Sequence, residues 1–268
     1  MSSRQAIAAA FQFLSRVPVP GELDYTPELF RKSTRFYPLV GLVIGLIAWL
    51  VGIGAAYVLP SMPAAVIVLI TWVVLTGGLH LDGWMDTADG LLSYRSREAM
   101  LEIMKDSRVG AMGVIACVLL LLLKLSLIEA IIDLQLYSGL LLLPFIWSRW
   151  FMTHAMTAWP PARGKEGLGA SFKGLTGRDR MLTLLLAAGL SLATVCLSPL
   201  TGWGISSWLP ALAGLLLLPL ISVIVGRMSA NRISKRLGGL TGDTYGALNE
   251  LLEAVLLAAA LLLLNMMN

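Results

Sequence analysis

The chain has 268 residues, of which 57% are hydrophobic and 13% are charged, and its mean hydropathy is +0.80. A soluble domain carries about 25% charged residues, so this composition excludes an ordinary globular protein and indicates a polytopic membrane protein. The net charge of +4 and the pI of 9.2 do not indicate a nucleic-acid partner, because the basic residues separate apolar segments and form no patch. We therefore expect a single all-α domain, residues 1–268, built as a helical bundle within a lipid bilayer.

The predicted elements begin with an amphipathic segment. Residues 1–35 are not expected to be a cleavable signal peptide, because the stretch 4–17 is amphipathic and no small-residue cleavage site follows it. We expect an interfacial helix that ends before Pro18 and Pro20. Cys117 and Cys196 lie in later apolar runs without disulfide or metal spacing and are expected to be packing residues. The seven membrane spans are expected at 36–59, 64–79, 110–132, 136–158, 181–198, 208–226 and 247–266.

The distribution of lysine and arginine indicates the orientation of these spans. Of the 20 such residues, all except Lys124 and Arg149 lie outside the expected spans. The connections around 60–63, 133–135 and 199–207 contain none. The positive-inside rule then predicts that the C-terminus lies on the outer side of the cytoplasmic (inner) membrane. The expected cytoplasmic segments, which contain the polar motifs, are the N-terminus and the loops 80–109, 159–180 and 227–246.

The most unusual stretch is GGLHLDGWMDTADG at 77–90, where three carboxylates follow directly on an apolar run. Asp82, Asp86 and Asp89 are spaced i, i+4, i+7, so a helix would hold them within roughly 60° on one face. Like charges this close repel unless a cation lies among them, and carboxylate oxygens suit Mg²⁺ or Mn²⁺. Zinc fits less well, because only His80 could add a nitrogen ligand and no cysteine is near. The alternative is a solvated acidic loop that caps a membrane helix.

A second polar stretch, MKDSRVGAMG at 104–113, precedes the third expected span. Lys105 and Arg108 flank Asp106, and glycines open the helix that follows. This arrangement could hold a diphosphate while Asp106 completes a metal shell. A basic cluster beside a membrane is more often only a determinant of topology, but its proximity to the aspartates favours the binding hypothesis.

The loop 159–180 combines glycines with cations, among them Arg163 and Lys173. Such a loop suits a phosphate-bearing or large polar substrate, and Trp159 and Phe172 are available to stack on a ring. The alternative, which the sequence favours equally, is a flexible loop that faces the lipid.

The last polar region runs from 227 to 253. Asn231 and Arg232 are expected to face phosphate, and Asp243, in a glycine-rich turn, is a further candidate metal ligand or base. Glu250 and Glu253 fall inside the last expected span, where an unpaired carboxylate is costly, so each needs a partner.

Lys124 and Arg149 are the two basic residues inside expected spans. Lys124 is expected to neutralise buried acids of this kind. Arg149 and His154 lie nearer the cytoplasmic end of their span and are candidate substrate contacts, and the alternative for Arg149 is the same neutralising role.

Taken together, these motifs resemble a known family. GLHLDG at 78–83 with DTADG at 86–90 is similar to the signature of the cobalamin-5′-phosphate synthases, also called adenosylcobinamide-GDP ribazoletransferases. Four further segments resemble the other signatures of that family in the same order, so the resemblance covers nearly the whole chain. They are FYPLVG at 36–41, KDSRVG at 105–110, GLGASF at 167–172 and GLTGDT at 239–244.

The resemblance implies an integral membrane, Mg²⁺-dependent transferase of the last steps of vitamin B12 assembly. It would join adenosylcobinamide-GDP to α-ribazole or its 5′-phosphate and release GMP. The aspartate motif is also similar to that of the CDP-alcohol phosphotransferases, but Asp86 and Thr87 stand where their DGxxAR segment has Ala-Arg. A lipid-directed phosphotransferase is thus the alternative enzyme, and a transporter or scaffold is the alternative without catalysis.

For this chemistry we expect a carboxylate-bound metal, phosphate-binding cations and a base. One free carboxylate, or His80, would take the proton from the ribazole hydroxyl. Partners beyond the substrates and the bilayer are left open between a homo-oligomer and a complex with other late corrinoid enzymes. The expected metal ligands are Asp82, Asp86 and Asp89, helped by Asp106 or Asp243. The expected phosphate-binding cations are Lys105, Arg108 and Arg232.

Overall fold

A computed structural model describes residues 2–164, 172, 174–197 and 208–266 of the chain. Within these ranges the backbone is helical or irregular, apart from one isolated β-bridge between Pro161 and Leu240. The expected all-α fold is therefore confirmed. The helices are α1 (Ser3–Leu14), α2 (Pro27–Ser33), α3 (Tyr37–Ala56), α4 (Ser61–Thr76), α5 (Leu79–Leu92), α6 (Arg97–Ile103), α7 (Ala111–Asp133), α8 (Leu143–Ala158), α9 (Gly177–Leu197), α10 (Trp208–Leu237) and α11 (Gly242–Asn265).

Five segments of the described chain are long and apolar enough to cross a membrane. Helices α4 and α5 meet the same criterion only together, and the chain bends by 88° between them. They add a sixth span if this bent pair is counted as one broken span. The expected number of seven is therefore not confirmed. The five segments are Pro27–Ala56, Ala111–Asp133, Gly177–Leu197, Ala211–Leu237 and Gly242–Asn265.

The sharp bend between α4 and α5 has a local cause. Gly77 and Gly78 adopt positive φ values of 63° and 72°, and such left-handed backbone is readily accessible only to glycine. The chain therefore turns before the aspartates and starts a new helix, α5. The connection expected as a loop at 80–109 thus contains α5 and α6, and α10 continues to Leu237, well into the connection expected at 227–246.

Helix α8 lies at the centre of the bundle. Every side chain from Leu143 to Ala155 is buried. The polar residues of this 16-residue helix, which is part of an expected span, therefore face other protein groups and not lipid. Close packing against α3 needs small residues, since a Cβ added at Gly45 would lie 2.7 Å from the Phe145 ring. Leucines on the outer surface of α7, such as Leu119 and Leu122, remain exposed, as expected for side chains that face lipid.

The expected amphipathic N-terminal helix is confirmed as α1. Ser2 and Gln5 form a capping box at its start, and Phe11 and Leu14 lie on its buried side. The helix ends at Leu14, four residues before Pro18. The backbone N–H of Arg16 then donates to the carbonyl oxygen of Leu75 at 2.7 Å, which ties this segment to the end of α4.

Candidate active site

The three aspartates of α5 do lie on one helix, as the spacing required. Asp86 is half-buried, and its pKa is raised to about 7, first by burial and then by the negative charges of Asp82, Asp243 and Asp89. The carboxylate from the other end of the chain, Asp243, therefore belongs to the same acidic group. We call Asp82, Asp86 and Asp243 the acidic cluster.

Asp243 reaches α5 because α11 begins there. Thr241 caps α11 through a capping box with Thr244, which orients the first turn. At Gly83 of α5 an added Cβ would lie 2.5 Å from the carbonyl oxygen of Asp243, so the two backbones are in direct contact. The close approach of the two helices thus depends on a glycine and brings the carboxylates together.

Arg163 supplies positive charge to this cluster. Its Nη2 lies 3.4 Å from Oδ2 of Asp243. The segment that carries it is held by backbone hydrogen bonds from Ala162 N to Leu240 O at 2.8 Å and from Leu240 N to Pro160 O at 2.9 Å. Arg163 was one of several cations in a loop of the sequence, and this backbone pairing is what places it beside Asp243.

Asp89 occupies a different environment. Its Oδ2 accepts the N–H of Gly110 at 2.8 Å, and its Oδ1 accepts the N–H of Gly113 at 2.7 Å. A Cβ at either glycine would collide with the Asp89 carboxylate. The carboxylate therefore caps the N-terminus of α7. That helix N-terminus, which was expected to help hold a diphosphate, already binds a protein anion.

The polar stretch before α7 is internally paired. Arg108 Nη2 lies 2.6 Å from Oδ2 of Asp106, and hydrogen bonds from Arg108 lower the pKa of Asp106 to about 2. Lys105 Nζ lies 3.2 Å from Oε1 of Glu102. These groups are largely exposed, so the pairs are open to solvent and to competing ligands.

A cavity of about 180 Å³ adjoins the acidic cluster. His80 lies in its wall and is only 1% exposed. The side-chain amide of Asn249 donates to Nδ1 of His80, with Nδ2 and Nδ1 separated by 3.1 Å. The cavity is lined by Phe13, Leu14, Leu79, His80, Asp82, Gly83, Met152, Met156, Phe172, Gly242, Asp243, Tyr245 and Gly246.

The expected role of Arg149 as a substrate contact is not supported. Arg149 is 0% exposed and forms an ion pair with Glu253. Lys124 Nζ lies 2.6 Å from carboxylate oxygens of both Glu250 and Glu253. Arg149 therefore belongs to a buried ion network of two cations and two anions, and the expected partners of the glutamates are confirmed.

The remaining candidates are dispersed. Asn231 accepts a hydrogen bond from Nε1 of Trp159 at 2.9 Å, and Arg232 is exposed on α10. Phe172 packs in the cavity wall with its ring centroid 6.4 Å from that of Phe13. Lys173 lies outside the described residues. The sequence signal for Phe13 and Asn249 was absent, because neither belongs to a polar motif.

The acidic cluster fits a divalent cation that arrives with its substrate. Among the described residues, no three histidine, cysteine or acidic side chains converge as a preformed metal site. Mg²⁺ usually retains several waters and binds through one or two carboxylates plus substrate phosphates, so it needs no such cage. Burial first, and then the neighbouring negative charges, raise the pKa of Asp86, and a bound cation would offset both effects.

Known proteins resemble this chain in sequence over almost its whole length. The sequence profile described as cobalamin-5-phosphate synthase matches residues 6–261. No solved structure matches the chain significantly.

Several relatives share the sequence over almost the full length of both proteins. A protein of Desulfitobacterium hafniense named adenosylcobinamide-GDP ribazoletransferase is 40% identical over 98% of this chain and 99% of its own. Proteins of the same name from Brevibacillus brevis and Desulforamulus reducens are 38% and 41% identical, over 94% and 92% of this chain and 96% and 92% of their own. The chain therefore belongs to the cobalamin-5-phosphate synthase family of transferases.

Proposed function

We propose that the chain is a Mg²⁺-dependent adenosylcobinamide-GDP ribazoletransferase that works at the cytoplasmic face of the inner membrane. The observation that carries the proposal is that Asp82 and Asp243, whose charges act on Asp86, line an apolar cavity, with Arg163 beside Asp243. A metal-bound diphosphate needs the carboxylates and the arginine, and an aromatic nucleoside acceptor needs the apolar cavity.

In the proposed reaction, a ribose hydroxyl of α-ribazole, or of its 5′-phosphate, attacks the phosphorus atom that carries the cobinamide. The new phosphorus–oxygen bond forms as the bond to the bridging oxygen breaks, and GMP leaves with that oxygen. The hydroxyl proton passes to a protein carboxylate. The acidic cluster is where this proton acceptor and the phosphates would meet.

The residues of the cluster have separate tasks. Two of the carboxylates of Asp82, Asp86 and Asp243 would hold Mg²⁺ together with the substrate phosphates, and the third would be free to take the proton. The cation, when bound, neutralises the diphosphate and the leaving GMP. Arg163 adds a fixed positive charge on the same side. We leave Asp89 and Asp106 out of the proposed ligand set, because the first caps α7 and the second is paired with Arg108.

His80 is also left out as the proton acceptor. Because the Asn249 amide donates to its Nδ1, the proton of the neutral ring lies on Nε2, and that nitrogen has no free lone pair. A carboxylate of the acidic cluster is then the base.

The proposed position of the site at the cytoplasmic face of the membrane follows from the positive-inside rule.

The test is GMP release by purified protein in nanodiscs. We expect release only when adenosylcobinamide-GDP, α-ribazole and Mg²⁺ or Mn²⁺ are all present, and loss of release with EDTA. Asp86→Asn, which removes the charge but keeps the side-chain shape, should abolish turnover. Release without the acceptor would indicate a hydrolase. Consumption of a CDP-linked lipid instead would indicate the alternative enzyme.

A further inference from the structure

The cavity beside the acidic cluster is apolar over most of its wall. Phe13 and Leu14 come from α1, Met152 and Met156 from α8, and Phe172 closes the same space. Its volume of about 180 Å³ suits a two-ring aromatic base and is far too small for a corrin. The size and the apolar lining of the cavity thus suit the base of a nucleoside.

One buried group in this wall lacks a partner. His80 accepts from Asn249 at Nδ1, so Nε2 carries the ring proton, and Nε2 is buried without a hydrogen-bond partner among the described residues. An unsatisfied buried donor costs free energy, and such groups in native proteins usually bind a ligand or a water. The cavity thus offers an unpartnered donor, Nε2–H of His80, within a mostly apolar wall.

We propose that this cavity seats the base of α-ribazole, and that Nε2–H of His80 donates to the free ring nitrogen of that base. The inference rests on the proposed function. The base of α-ribazole, 5,6-dimethylbenzimidazole, has methyl-bearing apolar edges and one unsubstituted nitrogen that only accepts. Guanine carries several donors and acceptors, and those that face Met152, Met156 and Phe172 would lose their partners. The apolar part of the wall therefore favours the acceptor base over the base of the leaving nucleotide.

The same placement orients the reacting group. Asp82 and Asp243 line the cavity together with His80, so a ribose attached to the seated base lies beside the acidic cluster. Asn249 is then a positioning residue, because it determines which nitrogen of His80 carries the proton.

The hydrogen bond is tested by a cycle that changes both protein and ligand. The ligand change is the α-riboside of 5,6-dimethylindole, in which C–H replaces the accepting nitrogen. We expect wild-type kcat/KM for GMP release to fall roughly 3- to 10-fold with this acceptor. His80→Leu should show no such preference, whereas His80→Gln, which keeps an N–H near the position of Nε2, should retain it. An equal preference in wild type and His80→Leu would overturn the hydrogen bond.

The proton position has a readout independent of activity. The chain has 2 histidines, so His154→Gln leaves His80 as the single imidazole in an ¹⁵N NMR spectrum of untagged protein. We expect a protonated Nε2 and an unprotonated Nδ1 at neutral pH, and loss of that preference in Asn249→Leu. A proton on Nδ1 in the His154→Gln protein would overturn the proposal.

The identity of the seated base is tested by filling the cavity. Met156→Trp should raise KM for α-ribazole at least tenfold and leave KM for adenosylcobinamide-GDP unchanged. Leu119→Trp, at an exposed position on α7, is the matched control and should change neither. A rise only in KM for adenosylcobinamide-GDP would mean that the cavity holds guanine and would overturn this inference. Failure of the wild-type protein to use α-ribazole at all would instead overturn the proposed function.

Discussion

Gly83 of α5 lies directly against the backbone of Asp243 at the start of α11, with no room between them for a side chain. This contact joins the acidic helix to a carboxylate from the opposite end of the chain. It explains how Asp243 contributes to the negative field that raises the pKa of Asp86. The geometry of the candidate site therefore depends on a residue that has no chemistry of its own.

Replacing Gly83 with alanine should separate α5 from α11. The added Cβ would lie 2.5 Å from the Asp243 carbonyl oxygen, so the helix start must move and carry its carboxylate away from Asp82. We expect GMP release to fall more than tenfold, because small displacements of catalytic groups cost about 10²-fold. Gly189→Ala, on α9 with no atom within 4 Å of the added Cβ, is the control and should leave turnover unchanged. Equal turnover in the two variants would contradict this account.

Asp89 and Asp86 should respond differently to substitution. Asp89→Ala removes the anion that caps α7, so we expect it to lower the free energy of unfolding by about 1–2 kcal/mol. Asp86→Ala relieves repulsion and should leave stability unchanged or raised while it abolishes turnover. Thermal unfolding of both proteins in the same detergent distinguishes the two roles. A stable Asp89→Ala protein that has lost metal-dependent turnover would return Asp89 to the ligand set.

Substitutions within the acidic cluster should not add. If Asp82 and Asp86 hold one cation, removing either ligand already forfeits its charge neutralisation. Asp82→Ala and Asp86→Ala should each lose most of the turnover, and the double variant should lose little more. A double variant whose loss equals the product of the two single losses would show that they act independently.

The free energy of unfolding should depend on the charge balance of the buried ion network. Lys124→Met leaves Glu250 and Glu253 with Arg149 as their remaining partner within the network, and we expect a loss of about 3–5 kcal/mol in stability. Adding Glu250→Gln restores the balance of one cation to one anion and should recover much of that loss. Thermal unfolding of the single and double variants checks this, and no recovery in the double variant would argue against charge as the cause.

The proposed orientation can be checked with a matched pair of tyrosines. Tyr57 follows α3 and is 85% exposed, and Tyr94 follows α5 and is 79% exposed. In a background without Cys117 and Cys196, Tyr57→Cys should react with a membrane-impermeant maleimide in intact cells. Tyr94→Cys should react only after the membrane is opened. The reverse pattern would invert the topology.

Composition and periodicity, which are local properties, were enough to predict an all-α membrane protein. They located the apolar segments, the amphipathic start and a set of aspartates on one helix face, because partition into lipid and helical spacing depend on neighbouring residues. The need of Glu250 and Glu253 for cations followed from the cost of charge in a membrane, and Lys124 was correctly assigned to them. The order of the motifs indicated the family, which the comparisons confirmed.

Tertiary structure alone decided which of these polar groups meet. Helical spacing shows that Asp82, Asp86 and Asp89 share a face, but it does not show that α7 begins against Asp89 while α11 brings Asp243 near Asp86. The sequence likewise left Arg149 between a substrate contact and a partner for a buried acid, and only the structure shows the ion pair with Glu253, because burial depends on neighbours that are distant in the chain. A site assembled from α1, α5, α8 and α11 is defined by contacts between helices, and a linear pattern contains no record of those contacts.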